Sequence, residues 1–233
     1  MLDTDEFLFP RALQLTDTPI SKCLIVGSCV AEVYVPHFRG IRPDAVFDFI
    51  LFNNVADLPQ LASSQAREYD FQFIQLPLRH IVSDIVIRFH HFSDDVRNAE
   101  ISDNAHQLLR LMLDSALAYH TTHGLTTFVS NFVVPQIMTF SGLTNMNSEM
   151  DLRSLVRSLN QRLYEYVGKL DNVYIIDIEN IAASMGKRDF LDDTLVFSTH
   201  GAFWYPDWVN LERGRIEPRR QWRPFRSGTC ISF

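Results

Sequence analysis

Cysteine is scarce in this chain of 233 residues, with only Cys23, Cys29 and Cys230. An odd number in no metal-ligand spacing argues against a disulfide framework or a zinc site and fits a reducing compartment. Long apolar runs are missing too, so no membrane span is expected. Residues 1–20 lack the basic-then-apolar plan of a secretory signal. Basic charge is in the minority: 21 Lys and Arg stand against 28 Asp and Glu, a net −7 that argues against bulk nucleic-acid binding. There is no internal repeat and no low-complexity segment. What remains is an ordinary globular composition, 46% hydrophobic and 21% charged, with enough chain for one sizeable core. One cytoplasmic α/β domain is expected over 22–210, preceded by an arm (1–21) and followed by an Arg-rich tail (211–233).

The chain is organised around Lys22-Cys23-Leu24-Ile25-Val26-Gly27-Ser28-Cys29-Val30-Ala31-Glu32. A strand-forming apolar run enters Gly-Ser-Cys and is followed by a helix-compatible segment. A strand that feeds a helix through a tight turn exposes the turn side chain at the mouth of an α/β sheet. Backbone N–H groups of the helix start then face it, so a cysteine there is expected to be more acidic and more nucleophilic than a free thiol. The structural alternative is a small, buried core cysteine at a strand end.

Further strands are expected at 45–52, 70–76, 127–134 and 173–178, with a further short strand or extended loop at 85–92. Helices are expected from residue 30 to 38 (shortened or kinked by Pro36) and at 57–67, 94–120, 149–170 and 179–185. Leu108, Leu109, Met112, Leu113, Leu117 and Tyr119 supply an apolar face in the long helix. Strands alternating with helices predict β-α-β units, a mainly parallel sheet and a three-layer α/β/α sandwich of flavodoxin-like type. Reactive groups in such sheets collect at the carboxyl ends of the strands. Gly27-Ser28-Cys29, Asn53-Asn54 and Asn131 fall there, and a late loop carrying His200 can close over the same edge.

The pattern resembles the SGNH (GDSL-like) hydrolase superfamily, whose first block reads Gly-Asp-Ser. Alignment puts Cys29 at the nucleophile and Ser28 at the Asp. The Gly-Ser-Cys variant is similar to the GSCFA family, as is Pro77-Leu78-Arg79-His80. The order Gln75-Leu76-Pro77-Leu78-Arg79, Ser130-Asn131-Phe132 with Pro135, then Asp177 and Gly186, is similar to the hydrolase-like domain of FkbH-type biosynthetic proteins. The likeness covers 22–200. It implies that Asn131 is an oxyanion donor, with the backbone N–H of Cys29 as a second, and that His200 is the base. Asn54 stands weakly for the second-block Gly. The family's Asp three residues before the His is Phe197 here, and Asp193 lies seven residues before His200. A Cys–His pair can work without that carboxylate; a decayed site fits the same departure.

The chemistry this implies is attack by the Cys29 thiolate on a carbonyl, giving an acyl-thioenzyme resolved by water or another acceptor. Acyl transfer or thioester cleavage is the expected reaction, and no cofactor is required. The alternatives are a non-catalytic binding module and an esterase using Ser28. Arg213, Arg215, Arg219, Arg220, Arg223 and Arg226 fall within fourteen residues beside Trp222 and Phe225. A solvated arm is one reading of them. A phosphate clamp for coenzyme A, or for the phosphopantetheine of an acyl carrier protein, is the other. Arg79 and His80, expected at the end of a strand, are weaker candidates for binding a substrate carboxylate or phosphate. His90 and His91 have no third ligand spaced with them, so no metal is expected.

Overall fold

The computed structural model describes residues 19–53, 58–82, 95–136 and 152–190. Strand β1 (Lys22–Gly27) runs into helices α1 (Cys29–Glu32) and α2 (Tyr34–Ile41). Next come β2 (Val46–Leu51), α3 (Ser63–Ala66), β3 (Phe71–Gln75) and α4 (Leu78–Val82). The long α5 (Asp95–Ala116) and the shorter α6 (Ala118–His123) lead to β4 (Thr127–Ser130). Helix α7 (Leu152–Val167), β5 (Val173–Ile176), α8 (Ile178–Met185) and α9 (Lys187–Phe190) complete the described part. The five strands form one parallel sheet in the order β2-β1-β3-β4-β5, the α/β arrangement expected from the sequence.

Side chains alternate across a strand, so β1 feeds two cores. Leu24 and Val26 join Ile74 and Val129 beneath Leu109, Met112 and Leu113 of α5 and Leu155, Leu159 and Leu163 of α7. Cys23 and Ile25 face the other way, toward Ala31, Val35, Phe47 and Phe73. Helices therefore cover both faces, as a parallel sheet requires. Among the described residues no helix is long and apolar enough to cross a membrane.

Several expected elements come out differently. The single helix expected from residue 30 is divided at Val33 into α1 and α2. Pro36 explains this: its ring clashes with the carbonyl four residues back, but in the first turn of a new helix its missing N–H costs nothing. The long helix expected over 94–120 is broken at Leu117, and α6 ends on Gly124, whose φ of +69° forms a left-handed cap. The helix expected over 57–67 reduces to α3. The strand expected over 127–134 stops at Ser130, because side chains take over the backbone bonds of the next residues. Residues 85–92 lie outside the described part, as do most of the expected arm and all of the Arg-rich tail.

Candidate functional site

In this strand order the direction of the chain's crossovers reverses between β1 and β3, and the crevice beyond the carboxyl ends of those strands is the natural ligand position. The two ends that flank it are Gly27-Ser28-Cys29 and Gln75-Leu76-Pro77. Gly27 and Gln75 are register partners. A Cβ at residue 27 would lie 2.7 Å from the Ala31 Cβ and 2.9 Å from the Gln75 carbonyl oxygen. Only glycine lets the turn approach β3 this closely.

Ser28 is buried and its polar groups are committed. Its hydroxyl donates to Gln75 Oε1 at 2.8 Å, and its backbone N–H donates to the same oxygen at 3.3 Å. Its Oγ in turn accepts from the N–H of Val30 at 3.3 Å, capping α1. Gln75 Nε2 donates to the Leu76 carbonyl at 2.8 Å, which fixes which end of the amide faces Ser28. Gln75 is 8% exposed. In the sequence Gln75 stands out only as the first residue of the Gln75-Leu76-Pro77-Leu78-Arg79 run. Its mark is that a glutamine closes β3 (Phe71–Gln75) in register with the turn glycine.

Cys29 follows at the first position of α1 and is half-buried. Cys23, six residues earlier, is 1% exposed. Burial pushes the Cys23 thiol up to about 12, with Asp70 adding to the rise and Arg42 opposing it. The two thiols are thus different chemically, and Cys29 is the one a reagent can reach. Because α1 is a single turn, its dipole is a weak source of activation.

Asn131 follows the last residue of β4, and its N–H makes a ladder bond to the Ile176 carbonyl at 3.2 Å. Its side chain is fully engaged. Nδ2 donates to Asp177 Oδ1 and to the Tyr164 hydroxyl, each at 2.7 Å, and Oδ1 accepts from the Glu179 N–H at 3.0 Å. Asp177 also caps α8 through the Asn180 N–H. Beyond Asn131, the Asn160 side chain donates to the Phe132 carbonyl at 2.8 Å and accepts from its N–H at 2.9 Å. Glu179 accepts from the Val134 N–H at 2.7 Å, and Lys187 both pairs with Glu179 and donates to the Val134 carbonyl. These side chains satisfy the backbone where the strand ladder ends. An oxyanion role for Asn131 requires one of its two amide bonds to be exchanged for substrate.

Arg79 and His80 lie in α4 rather than at a strand end: Pro77 terminates the ladder and its carbonyl accepts from the His80 N–H at 3.0 Å. Arg79 is half-buried and His80 exposed. Asn53, just past the carboxyl end of β2, has a buried side-chain oxygen with no hydrogen-bond partner among the described residues. Its neighbour Asn54 lies outside the described residues, as do Asp193 and His200. Among the described residues no group of three His, Cys, Asp or Glu side chains could hold a metal ion.

No family profile and no curated protein matches the chain. Solved structures do. The N-terminal part of a Bacteroides fragilis protein, described as containing a phosphatase domain complexed with Mg, superposes with a TM-score of 0.50 at 15% identity over 80% of this chain. The match spans 48% of that protein, about half its length. Phospholipase A1 from Streptomyces albidoflavus NA297 superposes with a TM-score of 0.50 at 9% identity, over 71% of this chain and 82% of the enzyme. What these matches share with the chain is the α/β fold.

Proposed function

We propose that this protein is an SGNH-type acyl hydrolase or acyltransferase that works through an acyl-thioenzyme on Cys29. The observation that carries this reading is the commitment of Ser28. Of the two adjacent nucleophiles at the β1/β3 crevice, Ser28 spends its hydroxyl on Gln75 and on the cap of α1. We assign the chemistry to its half-buried neighbour Cys29; the commitment of Ser28 also counts against an esterase using Ser28.

In the proposed reaction His200 takes the Cys29 proton, and Asp193 is the upstream carboxylate that orients the imidazole. The thiolate attacks the carbonyl carbon of an ester or thioester, forming the C–S bond, and the tetrahedral oxyanion is held by the backbone N–H of Cys29. Asn131 assists by releasing Tyr164 or Asp177. Collapse expels the alkoxide or thiolate leaving group, which takes up the proton from His200. Water or an acceptor nucleophile then resolves the thioester. A thioenzyme hands its acyl group readily to amines, alcohols and thiols. The proposed donors are acyl groups on coenzyme A or on the phosphopantetheine of an acyl carrier protein, with the arginines of 213–226 on the phosphate.

The test is intact-mass spectrometry after incubation with acyl-CoA and acyl-carrier thioesters, comparing wild type with Cys29→Ala, His200→Ala and Ser28→Ala. The expected result is a gain of one acyl mass that is lost in Cys29→Ala. An adduct that persists in Cys29→Ala overturns the mechanism. One observation favours a second reading, a binding module that keeps the fold without turnover: every polar atom of the Asn131 side chain already has a protein partner. That reading predicts no adduct but retention of the carrier protein in a pull-down.

A further inference from the structure

We infer that Gln75 is the positioning residue of the nucleophile turn, acting on Cys29 through Ser28. This rests on the reading of Cys29 as nucleophile and adds a residue to it. Oε1 of Gln75 receives both donors of Ser28, the hydroxyl and the backbone N–H. It therefore holds the Gly27–Ser28 peptide, one peptide before Cys29, as well as the side chain that caps the following turn. The amide cannot rotate away without losing the bond from Nε2 to the Leu76 carbonyl. Nor can the turn shift sideways, because Gly27 packs on the backbone and Cβ of the same residue. A one-turn helix cannot fix its own first residue, so the geometry of Cys29 is set from β3, across the sheet.

An alternative is that the Ser28–Gln75 pair serves stability alone. Hydrogen-bond bookkeeping separates the two. Gln75→Leu leaves the buried Ser28 hydroxyl and N–H without their acceptor and is destabilising. In the double variant Ser28→Ala/Gln75→Leu the hydroxyl is gone as well, and only the Ser28 N–H stays without an acceptor, so part of the lost stability is recovered. A stability role therefore predicts that Cys29 behaviour recovers with the melting temperature. A positioning role predicts recovery of stability without recovery of reactivity.

The experiment is the rate of Cys29 carboxamidomethylation by iodoacetamide on the full chain at pH 7, read by peptide mapping beside glutathione as a free-thiol reference. Melting temperatures are measured on the same samples. Wild-type Cys29 is expected to react about tenfold faster than the reference. Gln75→Leu and the double variant are expected to fall to the reference rate, the double variant melting above Gln75→Leu. Wild-type rates in a folded double variant overturn the role of Gln75 and leave the nucleophile reading standing. A wild-type Cys29 no faster than glutathione overturns the nucleophile reading, and the inference falls with it.

Discussion

Asn131 donates to the Asp177 carboxylate at 2.7 Å, tying the end of β4 to the cap of α8. The same amide accepts from the Glu179 N–H, so one side chain joins two elements. Asn131→Ala leaves the Glu179 N–H without its acceptor, whereas the exposed Asp177 carboxylate keeps its bond from the Asn180 N–H. It is expected to cost about 1–3 kcal/mol in urea denaturation, from one unsatisfied group. If Asn131 also holds the oxyanion, the variant loses a further factor of about 10²–10³ in kcat at temperatures where it is folded. A loss confined to stability would reduce Asn131 to a structural clasp.

Cys23 and Cys29 are expected to separate cleanly under alkylation. Iodoacetamide at pH 8 should label Cys29 in the native protein and leave Cys23 untouched until denaturant is added, because burial holds Cys23 in the thiol form up to about 12. Peptide mapping reads both sites in one digest. Equal native labelling would mean that β1 opens far more readily than its packing implies.

Stability is expected to decline on the alkaline side. The thiol of Cys23 is raised to about 12 from 9.0, first by burial. The phenols of Tyr69 and Tyr166 are each raised to about 12 from 10.0, by burial and then by hydrogen bonds to Asp48 and Asp114 respectively. A folded value above the unfolded one means that the unfolded chain gives up its proton first, so stability is intact below the unfolded value and drains away above it. Urea midpoints should hold to about pH 9 and fall between about 9 and 12. Cys23→Ala should flatten the early part of that fall, and an unchanged slope would contradict the assignment.

Gly27→Ala is expected to damage fold and site together. The new methyl group must push aside the Ala31 Cβ at 2.7 Å and the Gln75 carbonyl at 2.9 Å. Overpacking of this kind costs about 1–3 kcal/mol, and relief comes only by moving the turn that carries Cys29. Loss of Cys29-dependent acylation larger than the loss of folded protein, measured on one sample, is the expected signature.

The strand segments and the major helices were legible because their signals are local. The apolar runs around residues 23–26 and 173–176 read as buried strands, and the repeat through Leu155, Leu159 and Leu163 reads as one helix face. The place of Cys29 was legible for the same reason, two residues after the glycine that ends a strand and at the start of a helix. The extent of β4 was not, since Phe132, Val133 and Val134 are as apolar as any strand. What ends the ladder is a set of side chains, Asn160, Glu179 and Lys187, from 28 to 53 residues further along the chain. The division at Val33 was half legible: Pro36 announced a disturbance, but a kink and a restart look alike in sequence. Gln75 was hidden in the same way as the end of β4, because its task is defined by register with Gly27 and not by its neighbours.

The strand order has a kinetic consequence. The three strands nearest the crevice, β2, β1 and β3, all come from residues 22–75, so Ser28 can find Gln75 while much of the chain is still to be made. Helices α1 and α2, from the same stretch, cover one face of this sub-sheet. The other face, with Leu24, Val26 and Ile74, waits for α5 and for α7 from much later in the chain. A nascent chain halted after β3 should already carry protected β1 amides in pulsed hydrogen exchange, yet expose an apolar face that invites association. The chemistry-bearing turn is set early, and its exposed underside makes this the interval in which the polypeptide most needs a chaperone.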